Sequence, residues 1–318
     1  MTHHYRLFGL SFASQQPIAG LEPATMAPVA CPDVRIRFAE VAEPDETVDF
    51  LGMRVKATAA GLYIHAPNIG RFQVVGGDEI VVSPEGQDAA LARDHLLGTA
   101  MAALLQQRDY LPLHANVMAW NGRAYAFAGA SGAGKSTLAA HLQARGYGFM
   151  SDDLCAVSWD DEGRPRAWPG IPRVKLWRDA LAELALDPEK LRPLSWTTEK
   201  FEVPAPYQMA GGSLPLAAVY DLREEEDGAP RGVHAISGVD AVNTLVAHTY
   251  RRRLIDLQGG SETYLRRVVG LAQSLPVFAL RRRWGFDALE EELCSIHRSV
   301  TATDATLCSA TKTTGSPD

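Results

Sequence analysis

The sequence predicts an α/β fold, a phosphate-loop core of mixed sheet and helices preceded by a small β-rich domain. Three observations point to it. Residues 129–136 read G-A-S-G-A-G-K-S and fill every fixed position of the pattern G-x-x-x-x-G-K-[ST]. The loop lies between an apolar strand at 124–128 and a helix at 136–145, the order that such a loop needs. The first 88 residues break into short apolar runs punctuated by Gly and Pro, whereas strands and helices alternate after the loop.

In chain order, residues 5–13, 34–41, 61–66, 72–75 and 79–82 read as strands, the last two forming a hairpin around Gly76, Gly77 and Asp78. These make a β-rich N-terminal domain over residues 1–88. Leu91, Leu96, Leu97, Met101, Leu104 and Leu105 recur at helical spacing, so residues 89–107 form a helix that joins this domain to the core. Asn121-Gly122 separates two apolar runs and signals a type I′ hairpin, so the phosphate loop leaves the second arm of a hairpin.

Gly146 ends the loop helix, and 147–150 is the next strand, closing on Ser151-Asp152-Asp153. A charged, Pro-containing loop follows, then a short helix from Val174, with Lys200 in a polar loop. Further on come a strand at 217–222, helices at 239–250 and 263–275, a strand at 277–281 and a helix at 286–297. The core domain therefore spans 89–298, and the Ser/Thr-rich residues 299–318 read as a disordered tail.

Composition narrows the function classes. The chain has 318 residues, 46% hydrophobic and 22% charged, with a net charge of -7, which implies no basic face and argues against nucleic acid as the partner. Cys31, Cys155, Cys294 and Cys308 lack C-x-x-C spacing, so neither a zinc site nor a disulfide framework is expected, and a reduced, cytoplasmic setting follows. No apolar run reaches spanning length and the N-terminus lacks the layout of a signal peptide, so no membrane role is expected.

The loop residues Gly129, Ala130, Ser131, Gly132, Ala133, Gly134, Lys135, Ser136 and Thr137 are the expected nucleotide-binding set. Glycines let backbone N–H groups converge on phosphate oxygens, Lys135 supplies a point charge for the β and γ phosphates, and Ser136 offers a hydroxyl to Mg²⁺. Transfer also needs a group that takes the acceptor's proton. Asp152 and Asp153, at the end of the strand after the loop helix, are the candidates, one as base and the other on a metal or an amide. His114 sits just before the hairpin, at the strand end from which the loop emerges. Arg251, and the clusters 251–253 and 281–283, offer arginines that could face the phosphates.

His114, the loop fifteen residues later at Gly129, and Asp152-Asp153 twenty-three residues after Gly129 together resemble the catalytic domain of HPr kinase/phosphorylase. Residues 169–177, P-G-I-P-R-V-K-L-W, lie where that family carries a second signature. They are more similar to the stand-alone HPr-kinase-like proteins found with ribosomal peptide clusters, lasso peptides among them. The similarity spans residues 113–179, about a fifth of the chain.

It implies an HPr-kinase-like core and an ATP- and Mg²⁺-dependent serine kinase, with Lys135 on phosphates, Ser136 and Asp153 toward the metal, Asp152 as base, and Asp153 and His114 orienting the site. It also implies a peptide or small-protein acceptor and a homo-oligomer. The sequence departs from the family where Pro165 and Arg166 stand in place of a metal-holding glutamate, and at Pro169 and Pro172. A small-molecule kinase with the same core, or a non-catalytic nucleotide-binding module, are the alternatives.

Overall fold

A computed structural model describes residues 2–21, 31–194, 199–205, 212–225, 230–283, 285 and 289–313. The first sheet has eight strands: β1 (His3–Leu7), β2 (Leu10–Ser14), β3 (Val34–Phe38), β4 (Val48–Phe50), β5 (Met53–Thr58), β6 (Gly61–Ala66), β7 (Gly70–Val75) and β8 (Glu79–Pro84). They lie in the order β1-β2-β3-β8-β7-β6-β5-β4. The run 5–13, read above as one strand, is a hairpin turning at Phe8 and Gly9, whose φ values are 54° and 78°. Leu51 and Gly52, at 52° and 75°, turn the unanticipated pair β4 and β5 in the same way. In both turns an apolar residue precedes the glycine, which hides the turn inside an apolar run.

The joining helix is continuous: α1 (Ala89–His95), a π-helical turn (Leu96–Ala100) and α2 (Met101–Gln107). The Asp88 side chain accepts from the backbone N–H groups of Ala90 and Leu91 and caps its start. Leu96, Leu97, Met101, Leu104 and Leu105 pack with Phe12, Ile36, Phe72 and Val82, so the helix buries its apolar face against the first sheet.

The remaining chain supplies β9 (Leu111–Leu113), β10 (Ala115–Trp120), β11 (Arg123–Gly129), α3 (Lys135–Ala144), β12 (Gly148–Ser151), β13 (Cys155–Trp159), β14 (Pro165–Trp168), β15 (Arg173–Trp177) and α4 (Arg178–Glu183). Then come β16 (Arg192–Pro193), β17 (Lys200–Pro204), β18 (Leu214–Glu224), β19 (Gly232–Ile236), α5 (Gly238–Ala247), α6 (Arg253–Leu257), α7 (Ser261–Ser274), β20 (Val277–Arg282) and α8 (Leu289–Thr313). Nine strands form the central sheet, in which β11, β18 and β20 run parallel and end together beside the phosphate loop. Asn121 and Gly122, at φ 48° and 75°, make the expected tight turn between β10 and β11.

The chain after β11 crosses one face of the sheet as α3, and the chain after β18 crosses the other through α5 and α7. The connections thus part between β11 and β18, the place where open α/β sheets leave a crevice at their carboxyl ends.

Further readings are corrected. Residues 155–168 are not a loop but the hairpin β13–β14, which buries Cys155, Ala156, Val157, Pro165 and Ala167 in the central sheet. The segment from Val174 is not a helix: it is β15, paired with β17, which also takes Lys200 out of the expected loop. There the charged residues Arg173 and Lys175 face one side and Val174 and Leu176 the core, a period of two diluted by charge.

The expected disordered tail is helical up to Thr313. Leu289, Leu293, Ile296 and Val300 are buried on one stripe, and Arg123 holds Asp304 at 2.9 Å. Sparse apolar residues at helical spacing outweigh Ser/Thr composition once a core is present to receive them. Residues 286–288 of the expected helix start, and 314–318 of the tail, lie outside the described residues.

Candidate active site

The site is assembled where β11 hands over to α3. Gly132 and Gly134 sit at φ 85° and 77°, the left-handed region that glycine enters freely, and this bends the loop back over the N-terminus of α3. Ala133 is buried beneath the loop and its N–H bonds the Ala130 carbonyl at 3.1 Å. Lys135 is buried, and its Nζ donates to the carbonyls of Gly129 at 2.9 Å and Ala130 at 3.0 Å. Burial holds its pKa below the ordinary lysine value. Ser131, Gly132, Gly134, Lys135, Ser136 and Thr137 line a cavity of about 180 Å³.

The two aspartates differ sharply in surroundings. Asp152 is 5% exposed; it accepts from Ser136 Oγ at 3.0 Å and from the Lys175 backbone N–H at 2.9 Å. Burial and the adjacent Asp153 push its pKa up to about 7. Asp153 faces the cavity instead. Its φ is 63°, and the Leu154 N–H reaches back to the Asp152 carbonyl at 2.7 Å, a γ-turn of the rare positive-φ kind. Such backbone strain in a non-glycine residue persists only where surrounding contacts enforce it. Here Asn116 Oδ1 accepts the Asp153 N–H at 3.4 Å.

The Asp153 carboxylate lies 3.3 Å from Lys175 Nζ and 3.7 Å from His114 Nε2. Burial raises its pKa, but His114 and Lys175 outweigh that and hold it well below the ordinary carboxylate range. His114 is fixed from behind: its backbone N–H donates to the His248 carbonyl at 2.7 Å, and its ring meets Tyr250 edge-on at 5.6 Å.

All three catalytic candidates therefore converge on the loop, but the sequence reading missed what holds them. Lys175 Nζ also lies 3.7 Å from Asp94 of α1, and Asp94 pairs with Arg173, which shares Glu202 with Arg93. This buried chain ties the joining helix to the Asp153 carboxylate. Arg251 turns away to its own neighbour's ring, 5.5 Å from the Tyr250 centroid. The arginine at the cavity is Arg282, which packs beside Gly134 and pairs with Glu292 at 3.1 Å.

Ser136 and Asp152 together offer oxygen donors beside the loop, a set that suits a hard divalent cation completed by phosphate oxygens and water. Among the described residues no group of three or more His, Cys, Asp or Glu side chains is arranged to hold a metal ion. No helix among them is long and apolar enough to cross a membrane.

No family model and no curated protein matches the chain. Among solved structures, the HPr(Ser) kinase/phosphatase from Coxiella burnetii aligns with 63% of this chain and 96% of its own, at 10% identity and a TM-score of 0.36.

Proposed function

We propose that the chain is an ATP-dependent phosphotransferase acting on a hydroxyl of a peptide or small protein. One observation carries this reading: a complete phosphate loop shares its cavity with Asp153, a strained carboxylate braced by His114 and Lys175. A loop that only binds nucleotide has no use for such a group.

The geometry favours exchanging the roles first given to the two aspartates. Asp152 is enclosed and bonded to Ser136, which suits it to the metal side. Asp153 is open to the cavity, which suits it to the acceptor's proton. Magnesium, when bound, would be held by Ser136 with Asp152 and would offset phosphate charge. In the transfer itself the acceptor oxygen forms a bond to the γ phosphorus while the bond from that phosphorus to the β–γ bridging oxygen breaks. The acceptor's proton passes to an Asp153 oxygen and ADP carries away the electron pair. Lys135 is placed to offset the charge that accumulates on the bridging and terminal oxygens. His114, 3.7 Å from Asp153, keeps the carboxylate ionised and aimed until the acceptor arrives.

The N-terminal sheet and the joining helix share one apolar cluster, which Leu154, Ala156, Ile171 and Leu254 also enter, so we group the helix with the sheet and place the domain boundary after residue 107 rather than after residue 88. Through Asp94 this unit supports the active site directly.

The test is incubation of the purified protein with γ-labelled ATP, Mg²⁺ and candidate peptides, followed by mass spectrometry. A phosphate adduct on a serine-type hydroxyl supports the reading. Label found only on a small metabolite moves the assignment to a small-molecule kinase, and an unlabelled panel with ATP tightly bound moves it to a nucleotide-binding module.

A further inference from the structure

Four lysine and arginine side chains line the phosphate-loop cavity: Lys135, Lys175, Lys200 and Arg282. Two of them are matched by carboxylates, Lys175 by Asp153 and Asp94 and Arg282 by Glu292. Among the described residues, Lys135 and Lys200 have no carboxylate partner. Lys135 rests on two loop carbonyls. Lys200 rests on an aromatic face, its Nζ 4.7 Å from the centroid of the Trp177 ring.

The β15–β17 strand pair sets this up. Trp177 and Lys200 are direct cross-strand partners at the end where residues 178–199 connect the two strands, and Lys175 stands two residues back along the same face of β15. One strand pair thus carries a lysine to the catalytic carboxylate and another to the cavity mouth. Lys135 feels both signs of charge: burial lowers its pKa, the charges of Asp153 and Asp152 raise it, and Lys200 is close enough to lower it again. A phosphate between the two lysines would relieve their mutual repulsion. The other carboxylate at the mouth, Asp179, accepts the N–H of Ala180 at 2.8 Å in the first turn of α4.

We infer that Lys200 is a second phosphate-directed cation of this site, resting on Trp177 in the nucleotide-free protein and turning to the terminal phosphate of bound ATP. The inference deepens the phosphotransferase reading and rests on it for the catalytic part of the role. A cation on an exposed aromatic face is held by only a modest attraction, so leaving it for a phosphate oxygen costs little. A lysine is a flexible point charge on a long stem, suited to following negative charge as the phosphoryl group moves. Trp177, 45% exposed, serves as its resting place.

Calorimetric titration with Mg·ATP and with Mg·ADP separates this role from its rivals, because only ATP carries the terminal phosphate. Lys200→Met should weaken ATP binding by about 10-fold or more and ADP binding by less than about 3-fold. Lys200→Arg should recover most of the difference. Trp177→Leu should change either affinity by no more than about 3-fold, since it removes only the resting place.

Equal losses for ATP and ADP in Lys200→Met, or no loss for either, would overturn the inference. So would a Trp177→Leu protein that loses ADP as well as ATP, which would make the ring a platform for the base. The failure of the kinase reading reads differently: no acceptor is labelled while the ATP-over-ADP preference still depends on Lys200. A wild-type protein that binds neither nucleotide overturns both.

Discussion

The two large sheets handle charge in opposite ways. In the first, ion pairs such as Arg37–Glu79, Arg54–Glu43 and Arg71–Glu85 lie at least partly in solvent, and its interior is apolar apart from His65 and a few serines. Around the central sheet, Asn116, Lys135, Asp152, Asp221 and Arg282 are all buried; Lys135 and Arg282 line the cavity, and Asp152 is bonded to Ser136 beside it. Burying a charge is costly unless it is paired, and a surface pair adds little. The contrast therefore separates a sheet organised for stability from one that accepts desolvation in order to hold reactive groups.

The largest effect should come from the loop lysine. Lys135→Ala should weaken ATP binding by on the order of 10² or more in calorimetry, because the phosphates lose a desolvated point charge. Unchanged affinity would remove the basis for contrasting the two sheets at all.

Next come the aspartates. Asp153→Asn should cut turnover by on the order of 10² or more while ATP affinity stays within a few fold. Asp152→Asn should instead raise the Mg²⁺ concentration needed for half-maximal binding. If Asp152→Asn abolished turnover at unchanged Mg²⁺ dependence, the roles would revert to the assignment first read from the sequence.

A smaller effect concerns pH. The Asp152 pKa is raised, from 3.8 to about 7, so in the metal-free protein its contribution to stability is full below about pH 4 and is lost as pH rises through 7. Asn cannot ionise and escapes that loss. The stability difference between Asp152→Asn and wild type should therefore shift in the variant's favour between about pH 4 and pH 7, measured by denaturant unfolding. A flat difference across that range would show that the carboxyl ionises normally.

The smallest effect belongs to the first sheet. Arg37→Ala removes an exposed pair with Glu79 and should move the unfolding midpoint by no more than about 2 °C, with ATP affinity unchanged. A larger shift would mean that this sheet, too, relies on charge.

Much of the site was legible in the sequence because local chemistry dictates it. The phosphate loop needs glycines where φ is positive, and Gly132 and Gly134 are such positions; Asn121-Gly122 sets the hairpin before it for the same reason. His114 and the Asp152-Asp153 pair could be brought to the loop by counting strands. The strand pairs β13–β14 and β15–β17 were not legible, because prolines and charged residues mask their alternation and their partners lie far along the chain. Nor was the tail legible, since Val300 and its neighbours become a helix face only against a core formed elsewhere.

By itself, then, the sequence determined the phosphate-loop pattern, the turn that precedes it, the strand–loop–helix order and the set of acidic candidates, all properties of a few neighbouring residues. The tertiary structure decided which aspartate faces the cavity. Adjacent strand residues ought to point to opposite faces, but the γ-turn at Asp153 reorients its carboxylate, and His114 and Asn116 from one segment and Lys175 from another hold it there. The tertiary structure also decided which cations the cavity receives, because Lys200 and Arg282 arrive on strands far along the chain from the loop. Electrostatic partners act over distance in space, and distance in space is what folding alone sets.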